Sequence, residues 1–316
     1  MTDARATPPN KVLLVAAFAA LYIIWGSTYL TIKIATETMP AWPMIAARHA
    51  LGGSILYSVL RLSGTPPPKR EHWKGGIVGG VMLLVIGNGM IAYVSHRLPS
   101  SMSSMVVATT PIWIVATASV RPGGKAPRMK EWIGLALGLA GLGLLVGPSA
   151  LAAMKGTAGA LDIGAAGLVL FGTISWAIGS VIGRELPRPD NAFMGSALQM
   201  LSAGALLGLA CLVTGQWSTV ELSAISMRSW IAFAYLIAFG SLLGFTAYVW
   251  LLRVAKTSHV STYAYVNPVV ALFLGASVGK ESITGGMLVA AGVTLLGVVL
   301  VVMPPFKTVA RSNELS

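Results

Sequence analysis

VLLVAAFAALYIIWGSTYLTI, residues 12–32, runs for 21 residues without an aspartate, glutamate, lysine or arginine. A helix needs about 20 apolar residues to cross the hydrocarbon core of a bilayer. The stretch is too long for the core of a signal peptide, and no A-x-A-like cleavage site ends it. It reads as a permanent transmembrane helix.

The same pattern continues outward. Charge-free stretches of at least 21 residues recur at 75–96, 98–120, 132–154, 163–183, 191–220, 229–252, 257–279 and 282–306, and a further apolar stretch near 40–60 is interrupted only by Arg48. Ten such spans take up roughly 200 residues, leaving nine short connections and two tails in a chain of 316. Hydrophobic residues make up 55% and charged residues 10%, against roughly 25% charged in a typical soluble domain. At a mean hydropathy of +0.76 there are too few polar side chains to cover a water-exposed surface. A β-barrel would show short alternating segments, and these runs do not alternate. The expected fold is an all-α integral membrane protein of ten transmembrane helices.

The net charge of +12 would raise the question of nucleic acid in a soluble protein. Its distribution gives a different answer. With the N-terminus inside, sixteen lysines and arginines fall on inside loops and tails, five fall outside, and Arg48 lies within a span, accounting for all 22. That bias sets orientation by the positive-inside rule. Both tails are expected in the cytoplasm, and the basicity reports topology in a lipid bilayer with no nucleic-acid partner.

Sliding the chain along itself brings out a duplication. Arg48-His-Ala-Leu-Gly-Gly aligns with Gln199-Met-Leu-Ser-Ala-Gly at an offset of 151, which also pairs Trp25 with Trp176 and Lys33 with Arg184. Thr110-Pro111 aligns with Asn267-Pro268, Ala92-Tyr93-Val94 with Ala247-Tyr248-Val249, and Gly134 and Gly141 with Gly285 and Gly292. Units of five helices must enter the membrane from opposite faces. The result is an inverted repeat, an arrangement common in secondary transporters, whose sites lie near the midplane between the halves. The expected division is a cytoplasmic tail at 1–11, a first repeat at 12–150, a periplasmic linker at 151–160, a second repeat at 161–303 and a cytoplasmic tail at 304–316.

Tyr22-Ile-Ile-Trp-Gly-Ser-Thr-Tyr-Leu30, the Arg48 segment, Gly87-Asn-Gly89, Pro99-Ser-Ser and Val107-Ala-Thr-Thr-Pro111, taken in order, resemble the EamA family of the drug/metabolite transporter superfamily, and its YedA-like branch in particular. The resemblance spans about residues 12–303. It implies ten helices, cytoplasmic tails in a bacterial inner membrane, a central cavity and export of small metabolites (amino acids or related compounds) or drugs. Tyr93-Val-Ser-His96 departs from the tryptophan and acidic residue that relatives of that branch often carry.

Polar groups in a bilayer are costly and usually face the bundle interior, so the candidates for the substrate pathway are few. Asn88 and Asn267 are intramembrane amides that point to it. Trp25, Trp113, Trp176 and Tyr263 lie well inside spans, away from the interfacial ends that aromatic belts prefer, and as a set suggest an aromatic-lined cavity. Tyr265 belongs with them, and core packing is the alternative for each. Arg48 and Gln199 are intramembrane and either structural or substrate-facing. Arg48 could attract a carboxylate, or bond a neighbouring helix from a span placed beside the cavity. Pro111 and Pro268 each remove a helical hydrogen bond and should kink their helices. Small residues such as Gly134-x-x-x-Gly138 and Gly286, Ala290 and Gly292 let helices approach closely, within one protomer or across a homodimer.

None of the ten acidic residues lies clearly within a span, so proton exchange through a buried carboxylate has no support. Four scattered histidines (49, 72, 96 and 259) show no metal-ligand spacing, and His49 and His259 read as structural. Cys211 stands alone as a buried bystander. Neither a GxSxG elbow nor a GxxxxGK[ST] loop occurs. A transporter without cofactor or metal, acting on a small-molecule substrate by alternating access, is expected in preference to an enzyme, receptor or assembly protein.

Overall fold

The computed structural model describes residues 11–121, 129–130, 132–134, 136–138, 140–141, 143–144, 162–255, 257–278 and 283–302. The linker expected at 151–160 and most of both tails lie outside the described residues, as does much of the span expected at 132–154. Among the described residues every regular element is helical and no strand occurs. The helices are α1 (Lys11–Ala35), α2 (Ala41–Leu62), α3 (His72–Tyr93), α4 (Ser100–Val107), α5 (Thr110–Ser119), α6 (Ile163–Ile182), α7 (Ala192–Val213), α8 (Met227–Val254), α9 (Thr257–Val260), α10 (Tyr263–Ser277) and α11 (Gly285–Val302). Six described stretches are long and apolar enough to cross a membrane: α1, α3, α6, α7, α8 and Met102–Ser119, which runs through α4 and α5.

Side chains are distributed in the reverse of a soluble protein. Large apolar groups such as Val15, Ile23, Leu209 and Leu212 are exposed, while Thr28, Arg48, His49, Ser241 and Asn267 are buried. An exterior of this kind suits lipid tails, which are as apolar as leucine, and polar groups then collect where helices can satisfy them.

Small residues set the helix crossings. The two segments aligned by the sequence duplication, 48–53 and 199–204, pack against each other where α2 crosses α7. A Cβ on Gly53 would stand 2.7 Å from the backbone nitrogen of Leu201, and one on Gly204 would meet the backbone of Ala50. Gly297 of α11 makes a similar approach to the segment before the linker, where a Cβ would stand 2.6 Å from the Gly134 oxygen and 2.7 Å from the Gly138 nitrogen. The Gly134-x-x-x-Gly138 spacing is thus used within the chain.

Two long helices share a local irregularity. The middle of α3, Gly80–Asn88, and the middle of α8, Leu236–Phe245, are wound as π-helix between α-helical ends. π-Turns are rare and occur frequently at functional sites. Both segments face the same cavity. Elsewhere, α4 and α5 are separated at Ala108 and Thr109. Pro111, in the first turn of α5, has no N–H to give to the Val107 carbonyl four residues back, and the Thr110 hydroxyl donates to that oxygen instead, at 2.5 Å. Pro268 sits inside a continuous α10.

Asp162 caps α6. Its Oδ1 accepts from the Ala165 amide at 2.9 Å, and its Oδ2 accepts from Arg97 Nε at 2.7 Å and Nη2 at 2.6 Å. The Ala165 amide, then Arg97, hold its carboxyl below the ordinary value, as expected where hydrogen bonds favour the charged form. Arg121 and Glu185 form another ion pair, between the segments that follow α5 and α6.

Candidate functional site

A cavity of about 50 Å³ lies where α1, α2, α3, α6, α8 and α10 converge. A water needs roughly 10–15 Å³ of such space, so in this conformation the cavity has room for a few water molecules and not for a drug-sized solute.

One wall is aromatic. Trp25 meets Trp176 edge to face, ring centroids 5.4 Å apart at 86°, and meets Tyr263 in the same manner at 4.9 Å and 89°. Tyr248 sits behind them, 5.0 Å from Trp25 and 5.5 Å from Trp176. Close packing of this kind depends on Gly244, since a Cβ there would stand 2.6 Å from Trp25 Nε1, and on Gly87, where it would stand 2.8 Å from the Trp176 ring. Both glycines lie in the two π-wound segments, so the irregular stretches of α3 and α8 seat the two tryptophans.

Another part of the lining is polar. Arg48 is 3% exposed. Its Nε donates to Ser241 Oγ at 2.9 Å, and its Nη1 reaches Asn88 Oδ1 at a long 3.4 Å. Among the described residues it has no ion pair. Gly240 makes room for the guanidinium, as a Cβ there would stand 2.7 Å from Nη2. His49 lines the cavity next to Arg48 and is 1% exposed. Neither ring nitrogen has a hydrogen-bond partner among the described residues.

A second cavity, also of about 50 Å³, lies beyond the aromatic wall and is bordered by Ser180, Gln199, Arg184, Arg188 and Arg253. Burial and the neighbouring Arg188 push the Arg184 guanidinium below its ordinary value. Arg253 donates to the Asp190 carbonyl at 2.6 Å. Tyr248 stands between the two cavities. Its hydroxyl accepts from the Trp176 indole N–H at 3.0 Å and shares a 2.6 Å hydrogen bond with Ser180 Oγ. Trp176 borders the first cavity and Ser180 the second.

Of the residues singled out in the sequence, Trp25, Asn88, Trp176 and Tyr263 line the central cavity together, and Arg48 joins them. The cavity lining does not include Trp113 or Asn267. The Trp113 indole donates to Thr109 Oγ1 at 3.2 Å, one turn back. Asn267 is fully buried, and with its amide nitrogen turned to donate it reaches the carbonyls of Tyr263 at 3.0 Å and Tyr22 at 3.2 Å, tying α10 to α1. Gln199 borders the second cavity, its buried Oε1 without a partner among the described residues. The side chain of Tyr265 lies outside the described residues. Sequence reasoning passed over Tyr248 and Ser241. The match of Ala247-Tyr248-Val249 to Ala92-Tyr93-Val94 was a usable signal for Tyr248, whereas nothing distinguishes Ser241 from the other membrane serines.

Comparison with known proteins agrees with this architecture. The profile of the EamA-like transporter family matches residues 11–147 and again residues 163–303. The chain is 38% identical over 293 residues to the inner membrane transporter YedA of Escherichia coli (strain K12), covering 92% of this chain and 90% of that protein. It is 24% identical over 294 residues to the transporter YvbV of Bacillus subtilis (strain 168), covering 92% and 91%. A crystal structure of 17% sequence identity superposes with a TM-score of 0.67 over 93% of this chain and 98% of the other, a likeness of fold.

Proposed function

The chain belongs to the EamA-like transporter family, and from that premise we propose that it is an inner-membrane secondary transporter moving a small solute by alternating access. The observation that carries this reading is the central cavity itself, closed on one side by Trp25 and Trp176, one from each of the two family-matched segments. Two segments of one family matched in tandem, the five apolar stretches the sequence offers in each, and the meeting of segments 48–53 and 199–204 support an inverted pair of five-helix units rocking about that site.

In this reading the Trp176–Tyr248–Ser180 contact is the inner barrier, and the basic second cavity is its cytoplasmic vestibule. The small central volume leaves no room for a drug-sized solute, and entry of one requires the aromatic wall to part. Both termini are cytoplasmic and transport runs outward, as the positive-inside count and the family suggest.

The test is flux in liposomes reconstituted with the purified protein, with labelled carboxylic acids, amino acids and lipophilic cations offered with and without a pH gradient. Saturable flux of at least one solute, abolished by Trp176→Ala in a folded protein, is expected. Absence of saturable flux for the whole panel overturns the reading.

A further inference from the structure

We propose that the central cavity selects an organic monoanion: a solute with one carboxylate held between Arg48 and His49 and an apolar body against Trp25 and Trp176. The inference deepens the transport reading above and rests on it for the site's role, though not for its chemistry.

Arg48 is a buried cation whose partners are a serine hydroxyl and, at 3.4 Å, an amide oxygen. A guanidinium has five N–H donors in a planar fork, and these two bonds engage two of them. An ionised side chain away from water is stabilised when a counter-charge and hydrogen bonds reach it. Among the described residues no carboxylate does so, and none borders the cavity. None of its hydrogen bonds among the described residues goes to a helix carbonyl.

His49 is the independent observation. Its imidazole is buried, borders the same cavity, and has neither nitrogen partnered among the described residues. Unpartnered buried polar atoms are exceptions that call for an explanation. A carboxylate between the two side chains would accept from the guanidinium with one oxygen and from an imidazole N–H with the other. Trp25, Trp176, Phe245 and Tyr263 present ring surface to the same cavity, which suits an apolar body and supplies no second cation. Among the described lining residues Arg48 is the one arginine or lysine, which matches a single negative charge rather than a dianion.

The experiment uses the purified full chain and measures equilibrium binding of phenylacetate, its neutral isostere phenylacetamide, phenethylammonium and acetate at constant pH and salt. Phenylacetate is expected to bind roughly tenfold or more tighter than the amide or the amine, because charge-assisted hydrogen bonds exceed neutral ones by that margin. Acetate, lacking the ring, is expected to bind more weakly. Arg48→Gln should erase the preference for the acid, Arg48→Lys should keep part of it, and His49→Gln should weaken phenylacetate while leaving phenylacetamide unchanged. Equal affinity for acid, amide and amine, a preference for the amine, or no binding of phenylacetate overturns the proposal on the unmodified protein alone, whatever the variants' folding. Acid-selective binding without flux in liposomes would leave this proposal standing and defeat the transport reading instead.

Discussion

Trp25 and Trp176 stand 151 residues apart in the chain and meet edge to face with ring centroids 5.4 Å apart. Aromatic pairs in this geometry contribute roughly 0.5–1.5 kcal/mol beyond the area they bury. Here the pair also closes one side of the central cavity and joins the two family-matched segments.

Replacing Trp176 by phenylalanine keeps a ring against Trp25 but deletes the N–H that donates to Tyr248 at 3.0 Å. One hydrogen bond is worth about 1 kcal/mol, so the melting temperature should shift by only a few degrees. Transport in liposomes should fall several-fold, because the wall and the barrier share this bond. A Trp176→Phe protein with unchanged flux would remove Trp176 from the barrier.

Tyr248→Phe leaves the ring stack in place and removes both the Trp176 and Ser180 hydrogen bonds. Two such bonds lost shift the opening equilibrium of the barrier proposed above by about 1–3 kcal/mol, or roughly 5- to 150-fold. Cys211 is the only cysteine, so Cys211→Ala gives a thiol-free background in which Leu84→Cys, lining the cavity, can be alkylated from the cytoplasmic side. Alkylation should be about ten times faster with Tyr248→Phe. Equal rates would place the barrier elsewhere.

Gly297→Ala puts a methyl group about where the Gly134 oxygen and Gly138 nitrogen already stand, at 2.6 and 2.7 Å. Neither backbone atom can yield without moving its helix, and overpacking of this kind costs typically 1–3 kcal/mol. A lowered melting temperature in detergent is the expected result. Gly286→Ala, with no atom closer than 3.9 Å to the added carbon, should leave it unchanged and serves as the control.

Asp162→Asn weakens the cap of α6 and its pair with Arg97. The folded carboxyl titrates below its ordinary value, so its stabilisation is complete above an unfolded carboxyl pKa of about 3.9 and is lost as pH falls through the lower folded value. The variant should therefore melt below the unmodified protein at pH 7, with the gap closing only in strong acid. A gap independent of pH down to the acid limit would assign the effect to packing alone.

Part of the site was legible in the chain because intramembrane polarity is scarce. Trp25, Asn88, Trp176 and Tyr263 stand out among apolar neighbours, and all four reach the cavity. Arg48 stands out as strongly, yet its role as wall or tie depended on which way α2 faces. Asn267 and Trp113 look equally suitable in sequence, but one turns to the Tyr263 and Tyr22 carbonyls and the other to Thr109 on its own helix. Hydroxyls and amides in lipid take whichever acceptor packing brings within reach, and that acceptor is not a property of the residue's own neighbourhood.

The sequence by itself determined that this is a helical membrane protein, because the length of an apolar run against the thickness of a bilayer is a local quantity. It also carries two copies of one family pattern in tandem. Only the tertiary structure decided which face of each helix looks inward. These helices are apolar nearly all round and carry no stripe from which a buried face can be read. Their rotation is set by where glycines such as Gly53, Gly204 and Gly297 let backbones touch, and that rotation is what brought Arg48, His49, Ser241 and Trp176 around one cavity.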